Sequence, residues 1–297
     1  MRILSKTKLL LHKILPKNIF NFVYRTWSLY AKRKNESTIA HLDKNFKEKQ
    51  TITLHRGDIS FPIVLDPKNG VPDSAVLRDH EYEPEISDVM RRFTKKGSDV
   101  IDVGANIGLH ALYLSKLVGD EGHVIAFEPV TKFREQFEES IKIGKVENIK
   151  IYPYALGTSE STETIYVSKT NAGNTSFIKN DDPASKEVVE IKTLDSFNFS
   201  NISFMKIDVE GFEEGVLRGG LETIKKNKPS ILFEFSPLYY RKKGENIRNI
   251  LDLIVSLNYS LFDIEDNEKE IKDLDDFVSQ FEPTLRGQTN LICKPNI

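Results

Sequence analysis

The chain has 297 residues, 39% of them hydrophobic, enough for one large core with at most an appendage. Its formal charge of −2 conceals an asymmetry: residues 1–34 carry nine Lys or Arg and no acid, leaving −11 on the remainder, which argues against a nucleic-acid-binding surface on the main body. A single cysteine, Cys293, excludes an intramolecular disulfide and suits a reducing compartment.

In chain order, Leu10, Leu11, Ile14 and Leu15 recur at helical spacing before Pro16, and Ile19, Phe20, Val23 and Trp27 repeat the pattern among basic residues. Residues 1–50 therefore read as a basic helical extension. Its apolar stripe suits either anionic lipid, giving peripheral membrane contact through residues 1–34, or packing on the domain or on a second copy in a homo-oligomer. The packed reading is the commoner one, since basic faces are usually only solvated. The run Leu9-Leu10-Leu11 is cut short by His12 and Lys13, too early for a signal peptide. No apolar run approaches the roughly 18–20 residues that span a bilayer. The expected location is cytoplasmic.

Residues 51–297 are expected to form the main domain. Residues 51–65 read as a hairpin through Arg56-Gly57-Asp58, and 83–96 as a helix with Ile86, Val89, Met90 and Phe93 on one stripe. Strands at 99–104, 123–128, 149–154, 203–209 and 230–236 then alternate with helices at 107–118, 131–145, 213–226 and 245–257. The strands are apolar on both faces, which indicates a parallel sheet covered on both sides. Two departures stand out. Between Gly157 and Phe197, Thr164–Val167 and Val188–Leu194 alternate like strands around the loop Asn171–Ser176, an inserted β-hairpin where a helix is expected. Tyr259–Ile264 and Asn290–Lys294 follow the last helix and should pair antiparallel. The fold class is thus α/β: a doubly wound, Rossmann-like sheet, mostly parallel, closed by a C-terminal antiparallel pair.

The chemistry concentrates in two stretches. Val100-Ile-Asp-Val-Gly-Ala-Asn-Ile-Gly108 followed by Val124-Ile-Ala-Phe-Glu-Pro129 reads as strand, glycine turn, helix N-terminus, then a second strand ending in an acid. Gly104 and Gly108 would let backbone approach a ligand, and Glu128 stands where an acid grips ribose hydroxyls. The spacing Gly-x-x-x-Gly departs from the Gly-x-Gly-x-x-Gly of a dinucleotide fold and points to a ligand with an amino-acid tail instead of a pyrophosphate. The second stretch, Phe204-Met-Lys-Ile-Asp-Val-Glu-Gly211, is a strand ending in two acids. Asp208 and Glu210 should sit beside the ligand of the first turn, on one face if the strand runs that far. Glu213 and Glu214 open the next helix, where negative charge suits the dipole.

Six scattered histidines form no ligand pair, so zinc is unsupported, and His110, on the first helix, reads as a packed or surface residue before a base. The carboxylates Asp208, Glu210 and Glu234 would suit Mg²⁺, a possibility the sequence leaves undecided. The insertion 158–193 is either a substrate wall, its loop offering amides and hydroxyls to a carbohydrate, or a cover for a sheet edge.

Asp102-Val-Gly-Ala-Asn-Ile-Gly108, Phe127-Glu-Pro129, Ala155-Leu-Gly157, Leu194-Asp-Ser-Phe197 and Lys206-Ile-Asp-Val-Glu-Gly211, in this order and spacing, resemble the FkbM-type methyltransferase family. Tyr82-Glu-Pro-Glu85 and Phe233-Glu-Phe235 extend the likeness, which covers about residues 80–264, with Thr289–Lys294 similar to its closing strand. The likeness does not extend to residues 1–50. The resemblance implies a class I S-adenosylmethionine fold and methyl transfer to oxygen, commonly on sugars or polyketide-type metabolites. It implies that Asp102, Gly104, Ala105, Asn106 and Gly108 hold the methionine end of the donor, that Glu128 holds the ribose, and that Ala155 and Leu156 flank the adenine. Asp208 and Glu210 would face the methyl group and the acceptor. A neutral hydroxyl needs a base near the transition state. Asp208 is the first candidate, with Glu210 and Glu234 behind it; the alternative for each is a hydrogen bond to the acceptor or to the donor's amino group. Two competing readings are an NAD-dependent dehydrogenase, which the missing central glycine opposes, and a non-catalytic membrane-associated binding protein on the same fold.

Overall fold

The computed structural model describes residues 48–168, 172, 175–179, 183–281 and 287–296. The helical extension expected over residues 1–50 falls, as far as residue 47, outside the described residues. Strands β1 (Gln50–Arg56) and β2 (Ile59–Leu65) form the expected antiparallel hairpin, turning at Gly57. After α1 (Asp73–Asp79) and α2 (Pro84–Phe93), the chain alternates: β3 (Asp99–Val103), α3 (Leu109–Val118), β4 (Val124–Phe127), α4 (Thr131–Gly144) and β5 (Ile149–Tyr152). Next comes β6 (Ala155–Leu156), and the insertion supplies β7 (Ser161–Val167) and β8 (Ser185–Lys192); the three form a separate sheet of order β6-β8-β7. Alternation resumes with β9 (Ile202–Ile207), α5 (Glu213–Arg218), α6 (Leu221–Asn227), β10 (Ser230–Phe235), α7 (Pro237–Lys243) and α8 (Arg248–Ser256). The chain closes with β11 (Tyr259–Asp263), β12 (Lys269–Glu270), α9 (Leu274–Ser279) and β13 (Thr289–Pro295).

The main sheet has the order β12-β11-β13-β10-β9-β3-β4-β5. Strands β5, β4, β3, β9 and β10 run parallel, and β13 inserts antiparallel between β10 and β11. This is the doubly wound class I methyltransferase arrangement. Strand order reverses between β3 and β9, where open α/β sheets bind ligands beyond the strands' carboxyl ends.

Period-two alternation sorts the strand residues between two cores. Val100, Val124, Phe204, Leu232 and Ile292 pack on one face with α2 and α3, while Ile101, Ile125, Met205, Ile231 and Cys293 pack on the other. Following the first face toward the carboxyl ends, the next alternate positions are Asp102, Lys206 and Glu234. Apolar strands thus become polar at one edge of one face, which positions the site.

Several elements depart from the sequence expectation. The helix expected at 213–226 is two, α5 and α6, broken at Gly219-Gly220, where only glycine fits, since a Cβ on Gly219 would lie 2.0 Å from the Gly157 carbonyl oxygen. The strand expected at 149–154 stops at Tyr152, since Ala155 and Leu156 pair instead with β8. Helices α1, α7 and α9 are too short for a periodicity argument. Among the described residues no helix is long and apolar enough to cross a membrane.

Candidate cofactor and acceptor site

A cavity opens at the carboxyl ends of β3, β4 and β9. It is lined by Gly104, Ala105 and Asn106, by Glu128, by Ala155 and Leu156, and by Lys206, Asp208 and Glu210. The sequence-predicted set therefore meets around one space, with qualifications at Asp102, Gly108 and Glu234.

The turn after β3 is held by Gly104 and Ala105 N–H groups donating to the Phe127 carbonyl at 2.9 and 3.0 Å. Both glycines have left-handed φ angles, 80° and 81°. The sequence reading has them admitting a ligand; the structure gives each a protein neighbour. A Cβ on Gly104 would lie 2.0 Å from the Asp208 carbonyl oxygen, so the tips of β3 and β9 meet only because no side chain intervenes. A Cβ on Gly108 would lie 2.0 Å from the Phe137 ring, and Gly108 faces that packing contact, not the cavity wall.

Glu128 fixes the turn from the next strand. Its Oε2 accepts from Asn106 N–H and its Oε1 from Val130 N–H, both at 2.8 Å. Burial pushes its carboxyl up to about 7 against the pull of those two donors. Ala155 and Leu156, with Phe127 and Tyr154, form an apolar stretch of wall beyond it.

Asp102 lies fully buried beneath the cavity. Neither of its oxygens has a hydrogen-bond partner among the described residues, though Lys206 Nζ stands 3.7 Å away. Lys206 donates to Asp208 Oδ2 at 3.2 Å. Burial alone would lower the pKa of this buried ammonium, but Asp208, Asp102 and Glu83 hold it above its ordinary value.

Asp208, Glu210 and Glu234 each place an oxygen within 4.8 Å of the others. The i, i+2 alternation is not what brings the first two together, because β9 ends at Ile207 and Glu210 takes a left-handed φ of 52°. A turn does the work expected of a strand. Glu234 arrives from β10 and accepts from Gln288 Nε2 at 2.6 Å. Burial first, then the neighbouring carboxylates, raise Glu210 and Glu234 far above the ordinary range. Tyr239 donates a hydrogen bond to Glu210 and opposes its shift. The cluster is the only acidic group of metal-ligand spacing among the described residues. Crowded carboxylates relieve repulsion by holding protons, and that is the state burial favours here. Glu213 is structural: it accepts from the Val209 and Gly211 N–H groups and from the Tyr240 hydroxyl.

The insertion also reaches this space. Ile165, Ala172, Thr175, Ser176 and Phe177 line it, the Ser176 hydroxyl donates to the Glu210 carbonyl at 3.2 Å, and Phe177 meets Phe212 edge-on. Sequence reasoning gave no role to Tyr82, Glu83 or Lys206, which also line the cavity. Lys206 carried a signal, a cation inside an otherwise apolar strand. His110 is buried against the same wall, its Nε2 3.0 Å from Glu83 Oε2. Burial raises the Glu83 carboxyl, while Lys206 and Arg56 pull it back.

The model of the methyltransferase FkbM domain matches residues 102–261. "Methyltransferase 1" of Beauveria bassiana is 26% identical over 145 residues, covering 41% of this chain and 58% of that protein. A protein-L-isoaspartate O-methyltransferase of Ignicoccus hospitalis is 33% identical over 57 residues, covering 19% of this chain and 27% of that one. The chain thus spans well under two thirds of either curated relative. Among solved structures, a methyltransferase FkbM from Methylobacillus flagellatus aligns over 74% of this chain and 53% of that one, at 15% identity and a TM-score of 0.43. Aeropyrum pernix fibrillarin, solved with S-adenosyl-L-methionine bound, aligns over 83% and 100% at 10% identity and a TM-score of 0.42.

Proposed function

Because this chain belongs to the FkbM methyltransferase family, we propose that it is an S-adenosylmethionine-dependent O-methyltransferase acting on a hydroxyl of a glycan, a glycolipid precursor or a related secondary metabolite. The observation that carries the oxygen-directed reading is the carboxylate cluster of Asp208, Glu210 and Glu234 beside the cavity that Glu128 and Gly104 also line.

The residues fit the donor. Orphaned buried oxygens on Asp102 and an apolar stretch at Ala155 and Leu156 match a ligand that is cationic at one end and aromatic at the other. When bound, that donor supplies an electrophilic methyl carbon on a positively charged sulfur. Asp102 and the 104–106 turn would hold its amino-acid end, Glu128 its ribose, and Ala155 and Leu156 its adenine. Asp208 would take the proton from the acceptor's hydroxyl. Lys206 aligns Asp208 for that task. Much of the acceleration would come from holding acceptor oxygen and methyl carbon in line at close range.

The polar wall at Thr175 and Ser176 supports a carbohydrate acceptor. A membrane-peripheral, cytoplasmic protein meeting a lipid-linked sugar is the corresponding cellular reading, with residues 1–34 as the contact. Calorimetric titration of the full chain with S-adenosylmethionine, S-adenosylhomocysteine and NAD tests the core claim: binding of NAD alone overturns it, and silence toward all three favours a non-catalytic protein. Asp208→Asn should abolish turnover of a labelled methyl donor while donor affinity holds; retained turnover removes Asp208 as the base. Extracts assayed with labelled donor and analysed by mass spectrometry would identify the acceptor. Liposome flotation with and without residues 1–34 tests the lipid contact, which equal recovery discards.

A further inference from the structure

One corner of the cavity is built from parts that the proposed chemistry leaves unused. Glu83 is the residue just before α2, at its N-cap, in a left-handed conformation with φ 50°. His110 comes from the first turn of α3, and its side chain is only 9% exposed. The two meet through His110 Nε2 and Glu83 Oε2 at 3.0 Å. The other ring nitrogen, Nδ1, is buried and has no hydrogen-bond partner among the described residues. A buried polar atom left without a partner is costly, so a site that contains one is incomplete until something binds there.

The sign of the missing group follows from the surroundings. With Nε2–H donating to the Glu83 carboxylate, Nδ1 carries a lone pair and accepts. Asp102, whose two oxygens also lack hydrogen-bond partners, and Asp208 lie on the same side around Lys206. Among the groups that line the cavity at this corner, Glu83, His110 and Asp208 face one cation, Lys206, whose ammonium is already shared between two carboxylates; Arg56, whose Nε and Nη1 also lack hydrogen-bond partners among the described residues, does not line the cavity. Burial first, then Lys206 and Arg56, push the His110 imidazolium down to about 3, so the ring stays neutral at working pH and serves as a hydrogen-bonding group, not a proton acceptor. A neutral ring and three carboxylates suit a cation with several N–H bonds.

We infer that Glu83 and His110 together seat the α-ammonium of the donor's amino-acid tail, with His110 Nδ1 accepting one N–H and the Glu83 carboxylate supplying the counter-charge. The inference rests on the S-adenosylmethionine reading, and it adds a pair from two helices outside the glycine turn. The glycine turn would then hold the carboxylate end with backbone N–H groups, and the pair would read the amine.

The test is a binding cycle on the full chain without acceptor. Calorimetry measures S-adenosylhomocysteine, its deaminated analogue and 5′-methylthioadenosine, which lacks the whole tail, against wild type, His110→Phe, His110→Asn and Glu83→Gln. His110→Phe should weaken S-adenosylhomocysteine at least tenfold and leave the deaminated analogue and 5′-methylthioadenosine within twofold. His110→Asn, which keeps an acceptor near the Nδ1 position, should recover part of the loss. Should His110→Phe fail to fold by circular dichroism, Glu83→Gln carries the same expectation from a side chain that is 34% exposed. Equal weakening of all three ligands, or of none, overturns the inference, and the latter would assign the pair to the acceptor. A wild-type protein that binds none of the three would remove the parent reading, a result distinct from either.

Discussion

Glu234→Gln should flatten the dependence of stability on pH. Two unit charges 4.8 Å apart, the upper bound within the acid cluster, repel by about 3–4 kcal/mol at an effective dielectric of about 20. Burial, then Asp208 and Glu210, push the Glu234 carboxyl up to about 10, far above the ordinary carboxylate range. The folded protein therefore keeps a proton that the unfolded chain has released, and stability falls as pH rises from the unfolded value toward the folded one. Each proton so retained costs about 1.4 kcal/mol per pH unit, or about 2.7 kcal/mol between pH 6 and pH 8. Glu234 is only partly buried, which makes that an upper figure. Glutamine cannot titrate, so its contribution to the slope vanishes. Urea unfolding of both proteins at pH 6, 7 and 8 gives the slopes directly. Parallel lines for wild type and variant would refute the claim that this carboxyl is held protonated by its neighbours.

Other outcomes follow from the same geometry. Gly104→Ala and Gly108→Ala should both destabilise, by about 1–2 kcal/mol for the left-handed backbone alone with the clash added. Phe137→Ala should recover part of the Gly108 loss in thermal melts, but no side-chain change should recover Gly104, whose neighbour is the Asp208 carbonyl. Glu128→Ala strands the buried N–H groups of Asn106 and Val130, at about 1–3 kcal/mol each, and an unchanged melting temperature would contradict its anchoring role. Affinity for S-adenosylmethionine relative to S-adenosylhomocysteine should rise with pH as the cluster ionises, by at most about tenfold per unit for each proton displaced. A flat ratio across pH 6–9 would mean the cluster does not face the sulfur.

The parallel strands were legible because residues such as Ile101, Val124 and Phe204 are buried whichever way they point, which leaves long apolar runs bounded by turn residues. The acids at 208 and 210 were legible as neighbours, though for the wrong reason: alternation predicts a shared face, and a left-handed turn at Glu210 delivers it instead. What sequence could not show was contact over distance. Glu83 and His110 are 27 residues apart and meet only because α2 and α3 pack on the same face of the sheet. Likewise Gly219 reads as a helical position until Gly157, just before the insertion, arrives against it.

The contact of Gly104 with the Asp208 carbonyl makes the floor of the cleft out of main chain, whose shape depends little on which side chains stand above it. The roof at Thr175, Ser176 and Phe177 lies outside the strands, with Ser176 bridged to Tyr166 of β7, and shares no residue with the wall at Ala155 and Leu156. Redesigning that roof should therefore change which acceptor is admitted while the grip on the methyl donor stays as it is, so the two preferences can be engineered as separate variables.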